Sequence, residues 1–129
     1  MQTFLPYASF EKSASCLDNK RLGKQRVEAM QILHTLEGKT QGWKNHPAVK
    51  MWRGYEAALA QYLRAMVVEW IKRGFANSIP IVRKMDCLYP PWVGKRQFHR
   101  SHKSNLLRKN RSHYSKFWSG PSNLSYVWP

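Results

Sequence analysis

The stretch WRGYEAALAQYLRAMVVEW, residues 52–70, carries the strongest periodic pattern of the chain. Its large apolar side chains recur at steps of three and four residues, which is the spacing of one helix face. Pro47 favours a helix start, because a first-turn N–H has no helical partner to lose, and Gly74 favours a stop. We therefore predict one helix that begins at Pro47, is capped by Asn45 or His46, and turns its aromatic stripe towards the core.

The segments on either side of this helix complete the predicted fold. Helical spacing, a serine cap and Gly38 as a stop predict a helix before it, and a second basic helix follows it. The segments are an extended arm over residues 1–12, a helix from Ser13 or Ser15 to about Glu37, one or two helical turns over 79–85, a helix from about Lys95 to Leu107, and an aromatic tail from Tyr114 that docks on the body. The sequence thus predicts a mainly α protein, one compact domain spanning 1–129, with three to four helices and long loops rich in proline and aromatic residues.

Charge limits the classes of partner. The 129 residues include 22 Lys and Arg against 7 Asp and Glu, a net charge of +15, and no carboxylate follows Asp86. A folded chain this basic favours a polyanion, most often nucleic acid. A hydrophobic content of 43% is too high for a disordered chain.

Other features limit the compartment and the chemistry. No run of 18 apolar residues exists and the start lacks the pattern of a secretory signal, so we expect no membrane association. Cys16 and Cys87 stand alone without metal-ligand spacing, which favours reduced thiols in a cytoplasmic protein. The scattered acids offer no two-metal cluster and no phosphate-binding glycine loop occurs, so we expect neither metal nor cofactor.

One acidic residue lies within a basic helical segment, KRLGKQRVE at residues 20–28. Arg21 and Lys24 precede Glu28 by seven and four residues, so all three follow one stripe of the helix. A solvated face with an ordinary ion pair explains this pattern equally well, since such pairs are common and weak. An acid weakens a DNA-binding surface, however, and general acid–base work is a reason for its presence.

A second basic segment, FHRSHKSNLLRK at residues 98–109, contains no acid. His99 and His102 are three residues apart and face one side of a helix, yet no third ligand makes them a zinc site. Phosphate contact is the simpler interpretation. The cations that would supply it are Arg100, Lys103, Arg108 and Lys109.

Three loop aromatics lie beside basic residues: Trp43, Tyr89 and Trp92. Aromatic rings next to a basic groove can stack on bases or wedge into a duplex. Rings of this kind are also common in protein cores, and the sequence leaves both interpretations open.

Residues 16–33, CLDNKRLGKQRVEAMQIL, resemble the first helix of the pyrimidine-dimer DNA glycosylase superfamily, the phage-type endonuclease V proteins. A less characterised bacterial and phage branch of that superfamily is similar over nearly the whole chain. The segments that carry this wider similarity are MQTFLPY at 1–7, WKNHPAVKMWRGY at 43–55, PPW at 90–92, FHRSHKS at 98–104 and YVWP at 126–129.

The resemblance implies a fold, a reaction and two site residues. Its characterised members are single-domain, mostly helical proteins that flip a nucleotide out of the duplex. Their N-terminal amine attacks the sugar carbon to form a Schiff base, a helix glutamate assists, and β-elimination can then nick the strand. Glu28 falls at the place of that glutamate, and the amine of Met1 would be the nucleophile.

The nucleophile departs from the family pattern at the second residue. The related enzymes expose the amine of a small residue after the initiator Met is removed, whereas a bulky second residue such as Gln2 normally leaves Met1 in place. The attacking group is therefore the Met1 amine, or a lysine such as Lys20 or Lys24, or a water activated by Glu28.

The sequence thus supports a metal-independent base-excision enzyme, a DNA glycosylase with or without abasic-site lyase activity. It would act as a monomer on double-stranded DNA with one flipped-out nucleotide, on a damaged or modified base. The rival from another class is a nucleic-acid-binding protein without catalysis, with a nucleoid, replication or anti-defence role, or an RNA binder. The catalytic candidates are Glu28 and Met1, and the candidate DNA contacts are Lys20, Arg21, Lys24, Arg26, His46, Arg53, His99, Arg100, His102 and Lys103.

Overall fold

Helices form all the regular structure of the protein. A computed structural model of residues 1–129 contains six helices and no strand, and four of the helices have seven or more residues, which confirms the predicted mainly α class. No helix has the length and apolar character that a bilayer-spanning segment requires. The helices are α1 (Phe10–Cys16), α2 (Asn19–Leu36), α3 (Pro47–Lys50), α4 (Glu56–Lys72), α5 (Arg96–Lys109) and α6 (Arg111–Tyr114).

The core forms where α2 and α1 each pack against α4. The periodic stripe of residues 52–70 supplies much of this core, as the spacing predicted: Trp52, Leu59, Tyr62 and Met66 are fully buried. Burial of a large apolar side chain stabilises the fold by about 1.5–3 kcal/mol. The core therefore fixes the relative position of α2 and α4.

The predicted first helix is two helices. Ser9 caps α1 by accepting a hydrogen bond from the Lys12 N–H, and the chain becomes extended at Leu17 before α2 starts. The hydroxyl of Tyr114 binds both the backbone and the carboxylate of Asp18 at this break. A contact across 96 residues therefore holds the break, and Asp18, which is the N-cap of α2, is the local signal that the prediction overlooked.

The predicted second helix is also interrupted. It begins at Pro47 with His46 as its cap, as expected, but α3 ends at Lys50 and α4 starts only at Glu56. Gly54 lies in the intervening turn with φ of 87°, a left-handed conformation that favours glycine. The sequence prediction overlooked this breaker because the aromatic spacing continues through it.

The arm and the tail follow the prediction in part. Residues 3–6 are buried on the body, as expected of an apolar arm. In the tail, Trp118 and Tyr126 pack against the core, so the predicted docking is confirmed. Residues 79–85 form no helix, whereas α5 lies where it was predicted and extends two residues further, to Lys109.

Candidate active site

Side chains from three parts of the chain bind Thr3 and Leu5 of the N-terminal arm. The Trp52 indole N–H donates to the Thr3 hydroxyl at 3.2 Å, and the Tyr126 hydroxyl donates to the Thr3 carbonyl at 2.6 Å. The Leu5 N–H donates to His102 Nδ1 at 2.8 Å. These hydrogen bonds hold Thr3 and Leu5 in place, and they therefore fix the position of the chain start.

Gln25 of α2 is the central anchor of the arm. Its amide nitrogen donates to the Gln2 carbonyl at 2.9 Å, and its amide oxygen accepts from the Phe4 N–H at 2.9 Å and from the Tyr62 hydroxyl at 2.6 Å. Gln25 follows Lys24 on the polar face of α2, yet it is only 2% exposed because the arm covers it. Sequence reasoning missed Gln25, since nothing local indicates which segment covers that face.

His99 and His102 of α5 hold the arm from the other side. The Gly94 N–H donates to His99 Nε2 at 2.8 Å, so Nδ1 carries the proton and donates to the Leu5 carbonyl at 2.7 Å. Burial lowers the pKa of His102 to about 3 and lowers that of His99 below its ordinary value. Both imidazoles are therefore neutral at physiological pH.

The structure corrects the expectation that these two histidines contact DNA. His99 is 8% exposed and His102 is fully buried. Both ring nitrogens of His99 form hydrogen bonds within the protein. Nδ1 of His102 does the same, and its Nε2 is buried without a partner. The i,i+3 spacing did predict that they share one helix face. That face lies against the arm instead of the solvent, because the arm supplies the backbone partners.

Glu28 lies one helical turn beyond Gln25, against the first peptide of the arm. Its Oε2 accepts from the Gln2 N–H at 3.3 Å and from the Gln25 amide at 3.2 Å. Three covalent bonds separate the Met1 nitrogen from the Gln2 nitrogen, so the two atoms are at most about 3.7 Å apart. The Met1 amine therefore lies at most about 7 Å from the Glu28 carboxylate, and both residues line one cleft.

Cations surround this carboxylate. A cleft of about 200 Å³ opens beside the chain start, and basic side chains form its rim. Lys20 and Lys24 are exposed and form no ion pair, whereas Arg21 donates to the Asp18 carboxylate at 3.2 Å. The lining residues are Met1, Gln2, Phe4, Lys20, Arg21, Lys24, Gln25, Glu28 and Lys109. The cleft thus brings together Lys20, Arg21, Lys24 and Glu28, which the sequence singled out, and adds Lys109 from the end of α5.

A larger cavity, of about 520 Å³, lies elsewhere, between α1 and α4. Its lining mixes signs of charge, with Glu11 and Glu69 beside Lys12 and Lys72. Because an anionic ligand is repelled by such carboxylates, size alone does not make this cavity the better candidate. The smaller cleft contains the titratable groups that chemistry requires.

The remaining predicted DNA contacts lie apart from the cleft lining. Arg26 lies 4.9 Å above the Trp70 ring and donates to Asn77 at 2.8 Å, so it joins elements of the protein and its position does not favour DNA contact. Arg53 is exposed and donates to the Lys44 carbonyl at 2.8 Å. The other two are an exposed, unpaired Arg100 and a half-buried Lys103 that lies 4.6 Å from the centre of the Tyr7 ring.

His46 lies near the N-terminal amine and Glu28. Its Nδ1 accepts from the Ala48 N–H at 3.0 Å, which leaves Nε2 as the protonated nitrogen of the neutral ring. The pKa of His46 is lowered by burial and then by the positive charge of the N-terminal amine, while Glu28 acts in the opposite direction. These two charges act on the ring because both lie near it.

The three loop aromatics fall into three environments. Trp92 is a core residue, 7% exposed, whose indole N–H donates to the Met51 carbonyl at 3.3 Å. Tyr89 is exposed beside the carboxylates of Glu11 and Asp86. Trp43 is exposed and contacts His46 edge-on at 5.8 Å.

Thiols and metal ligands do not cluster at the cleft. Both cysteines are free, and burial raises the pKa of the Cys16 thiol to about 12. No group of three or more His, Cys, Asp or Glu side chains has an arrangement that could hold a metal ion.

Comparison with known proteins gives one match. Residues 1–81 match the family model described as pyrimidine dimer DNA glycosylase. The matched region includes the arm, all of α2 with Gln25 and Glu28, and the whole of α4. Neither a curated protein nor a solved structure matches the chain.

Proposed function

Because this chain belongs to the pyrimidine dimer DNA glycosylase family, we propose that it excises a damaged pyrimidine from double-stranded DNA at the cleft beside Glu28. The observation that carries the proposal is the 3.3 Å approach of the Gln2 N–H to the Glu28 carboxylate within a basic rim. The anchored arm supports it further, since catalysis requires reacting groups that are held in place before substrate binds.

The Met1 amine is the proposed nucleophile. Its lone pair attacks C1′ of the flipped-out nucleotide, and the electron pair of the glycosidic bond leaves with the base. The amine gives one proton to the departing base and one to O4′ as the C1′–O4′ bond breaks, both by way of Glu28, and a Schiff base forms between Met1 and C1′. Glu28 is the proposed acid–base group, which accepts a proton from the amine or stabilises the positive charge that develops on the sugar.

Strand scission belongs to the same proposal. Removal of a C2′ proton from the Schiff base expels the 3′ phosphate, and water then releases the protein from the sugar. These steps use an amine and a carboxylate alone, so the proposed excision needs no metal or cofactor and proceeds in the presence of EDTA. The protein acts as a monomer, because one cleft contains every proposed group.

The position of Gln2 explains why the identity of the first residue matters. If Met1 were removed, the amine of Gln2 would lie at the same carboxylate, but an N-terminal glutamine cyclises with loss of ammonia and its amine is consumed. A retained Met1 therefore keeps the nucleophile available. Lys20 and Lys24 line the same cleft and are the alternative amines.

Glu28→Gln tests the proposal directly. Its amide keeps an oxygen for the Gln2 N–H, so the arm stays in place while the carboxylate is lost. We expect cleavage of the glycosidic bond at a single cyclobutane pyrimidine dimer, measured as strand scission after alkali, to fall about a hundred-fold or more, with DNA affinity unchanged or tighter. The matched control is Glu37→Gln, which removes an exposed carboxylate paired with Lys39 at 3.3 Å and should leave both unchanged.

The rival proposal is a nucleic-acid binder without catalysis. One observation favours it: both hydrogen bonds of Glu28 go to groups that hold the arm, which is a structural use of the carboxylate. If the protein only binds nucleic acid, the native protein should cleave no glycosidic bond in dimer-containing or modified duplexes. Release by the native protein that disappears in Glu28→Gln contradicts the binder.

A further inference from the structure

Trp43 has an unusual backbone and an unusual exposure at the same time. Its φ is +70°, the only positive φ outside glycine in the chain, and its side chain is 61% exposed. A bulky residue with positive φ is strained, and such strain persists only where the surroundings enforce it. A large indole held in solvent in this way suggests a surface built to contact a ligand.

Hydrogen bonds on both sides of Trp43 enforce its conformation. The His46 N–H donates to the Trp43 carbonyl at 2.8 Å, and Arg53 donates to the carbonyl of Lys44 at 2.8 Å. On the other side, the Thr35 hydroxyl approaches the Gly42 carbonyl at 3.4 Å. The loop is therefore tied to α2 and to the turn that follows α3, and the indole projects from a fixed base.

The surroundings of Trp43 connect it to the cleft. The indole meets the ring of His46 edge-on at 5.8 Å, and His46 meets Trp128 edge-on at 6.0 Å. Trp128 packs on Tyr126, whose hydroxyl donates to the Thr3 carbonyl of the arm. The cations of the same region, Lys39, Lys44 and Arg53, are exposed. An aromatic ring beside exposed cations is the combination that binds unpaired nucleotides, because every base has a face to stack on.

We propose that Trp43 stacks on the base face that is exposed in the duplex when the target nucleotide leaves the helix. The inference rests on the proposed function, because base flipping is what creates that face. The ligand is a nucleobase in double-stranded DNA, adjacent to or opposite the extruded nucleotide. Trp43 is a binding residue in this account, and the chemistry stays with Glu28 and the amine.

The test compares two DNA probes. One is an intact duplex, and the other is the same duplex with a single tetrahydrofuran abasic analogue, which exposes a base face without any excision. Trp43→Ala should lose about ten- to a hundred-fold in affinity for the tetrahydrofuran duplex, with little change for the intact one. Trp43→Phe keeps a ring and should recover most of the loss.

The matched control is Tyr89→Ala, which removes another exposed aromatic ring, one that lies beside carboxylates. It should bind both duplexes like the native protein, and thermal unfolding should show that all three variants fold. Equal affinity of Trp43→Ala and native protein for the tetrahydrofuran duplex overturns the inference. An equal loss on both duplexes also overturns it, because general DNA contact then explains Trp43.

The outcome separates this inference from the proposed function. Loss of tetrahydrofuran preference in Trp43→Ala, together with no base release by the native protein, leaves the stacking contact and removes the enzyme. Unchanged preference in Trp43→Ala, together with base release that requires Glu28, leaves the enzyme and removes the stacking contact.

Discussion

His102 shows how one buried side chain holds the start of the chain. Its Nδ1 accepts the Leu5 N–H, its Nε2 has no hydrogen-bond partner, and its ring stacks on Tyr126 at 4.3 Å. A proton added at Nδ1 would turn the acceptor into a donor facing another donor. Protonation of His102 therefore opposes the docked arm, as its low pKa indicates.

Acid should destabilise the fold through this residue. The pKa of His102 is about 3 in the folded protein and about 6.5 in the unfolded chain. Between these values the unfolded chain binds more protons, so stability decreases as pH falls through that window. We expect a loss of about 2 kcal/mol between pH 7 and pH 5 from this group, and His99 adds to it with the same sign.

Urea unfolding at pH 5, 6 and 7 measures this effect. His102→Asn keeps an oxygen acceptor for the Leu5 N–H but cannot be protonated in this range. Its free energy of unfolding should therefore depend less on pH than that of the native protein. An identical pH dependence in the two proteins would show that His102 is not the titrating group.

For single residues, the sequence predicted which side chains share a helix face, and it did not predict what covers that face. The spacing of His99 and His102 gave their shared face, and the lone acid among cations gave Glu28. The partners of these residues come from the arm, which is more than 20 residues away from Gln25 and more than 90 from the histidines. Local periodicity has no information about contacts at that separation, so it could not show that the arm covers Gln25 and both histidines.

At the scale of the elements, the approach of α2 to α4 depends on Gly23. A Cβ atom built there would lie 2.8 Å from the Trp70 ring. That ring cannot move aside easily, because it stacks on Phe75 at 4.3 Å, donates to the Ala76 carbonyl at 2.8 Å and lies under Arg26. Gly23 is therefore a packing residue inside a helix.

Gly23→Ala should lower stability, against the usual trend in helices. Alanine improves helix propensity by about 1 kcal/mol, whereas overpacking costs about 1–3 kcal/mol, so a lower melting temperature is expected. In a Trp70→Leu background the same substitution should raise the melting temperature, since the clash is absent. A rise in the native background would mean that the two helices have room to separate.

The helix ends were predictable where the signal is local. Gly38 and Gly74 follow the ends of α2 and α4 as their stop signals indicated, and His46 caps α3. The break before α2 carried one local signal, Asp18 as N-cap, whereas the Tyr114 contact that holds it comes from the far end of the chain and was not predictable. Gly54 was a local signal for the other break, but the continuous aromatic spacing obscured it.

At the scale of the whole molecule, charge separates into paired and unpaired regions. The carboxylates of Glu11, Asp18, Glu37 and Glu69 form ion pairs with neighbouring cations. Lys20, Lys24 and Lys109 at the cleft form none and are exposed. A surface with free cations around one carboxylate attracts a polyanion and leaves the acid available to act on it.

DNA binding should therefore weaken steeply with salt, by about 0.9 log units of affinity per log unit of salt for each phosphate contacted. Lys24→Gln and Lys109→Gln should each reduce the magnitude of that slope by about one. The control is Lys72→Gln, which removes an exposed cation at the mixed-charge cavity between α1 and α4. An equal reduction in all three variants would mean that net charge, and not the cleft, determines binding.

In the proposed mechanism, an amine held beside Glu28 attacks the sugar of the target nucleotide. Borohydride reduction during reaction with a dimer-containing duplex, followed by peptide mapping, tests it most directly. We expect a covalent protein–DNA adduct attached at Met1, and a lower yield of that adduct with Glu28→Gln. An adduct attached at a lysine, or base release with no adduct at all, would contradict it.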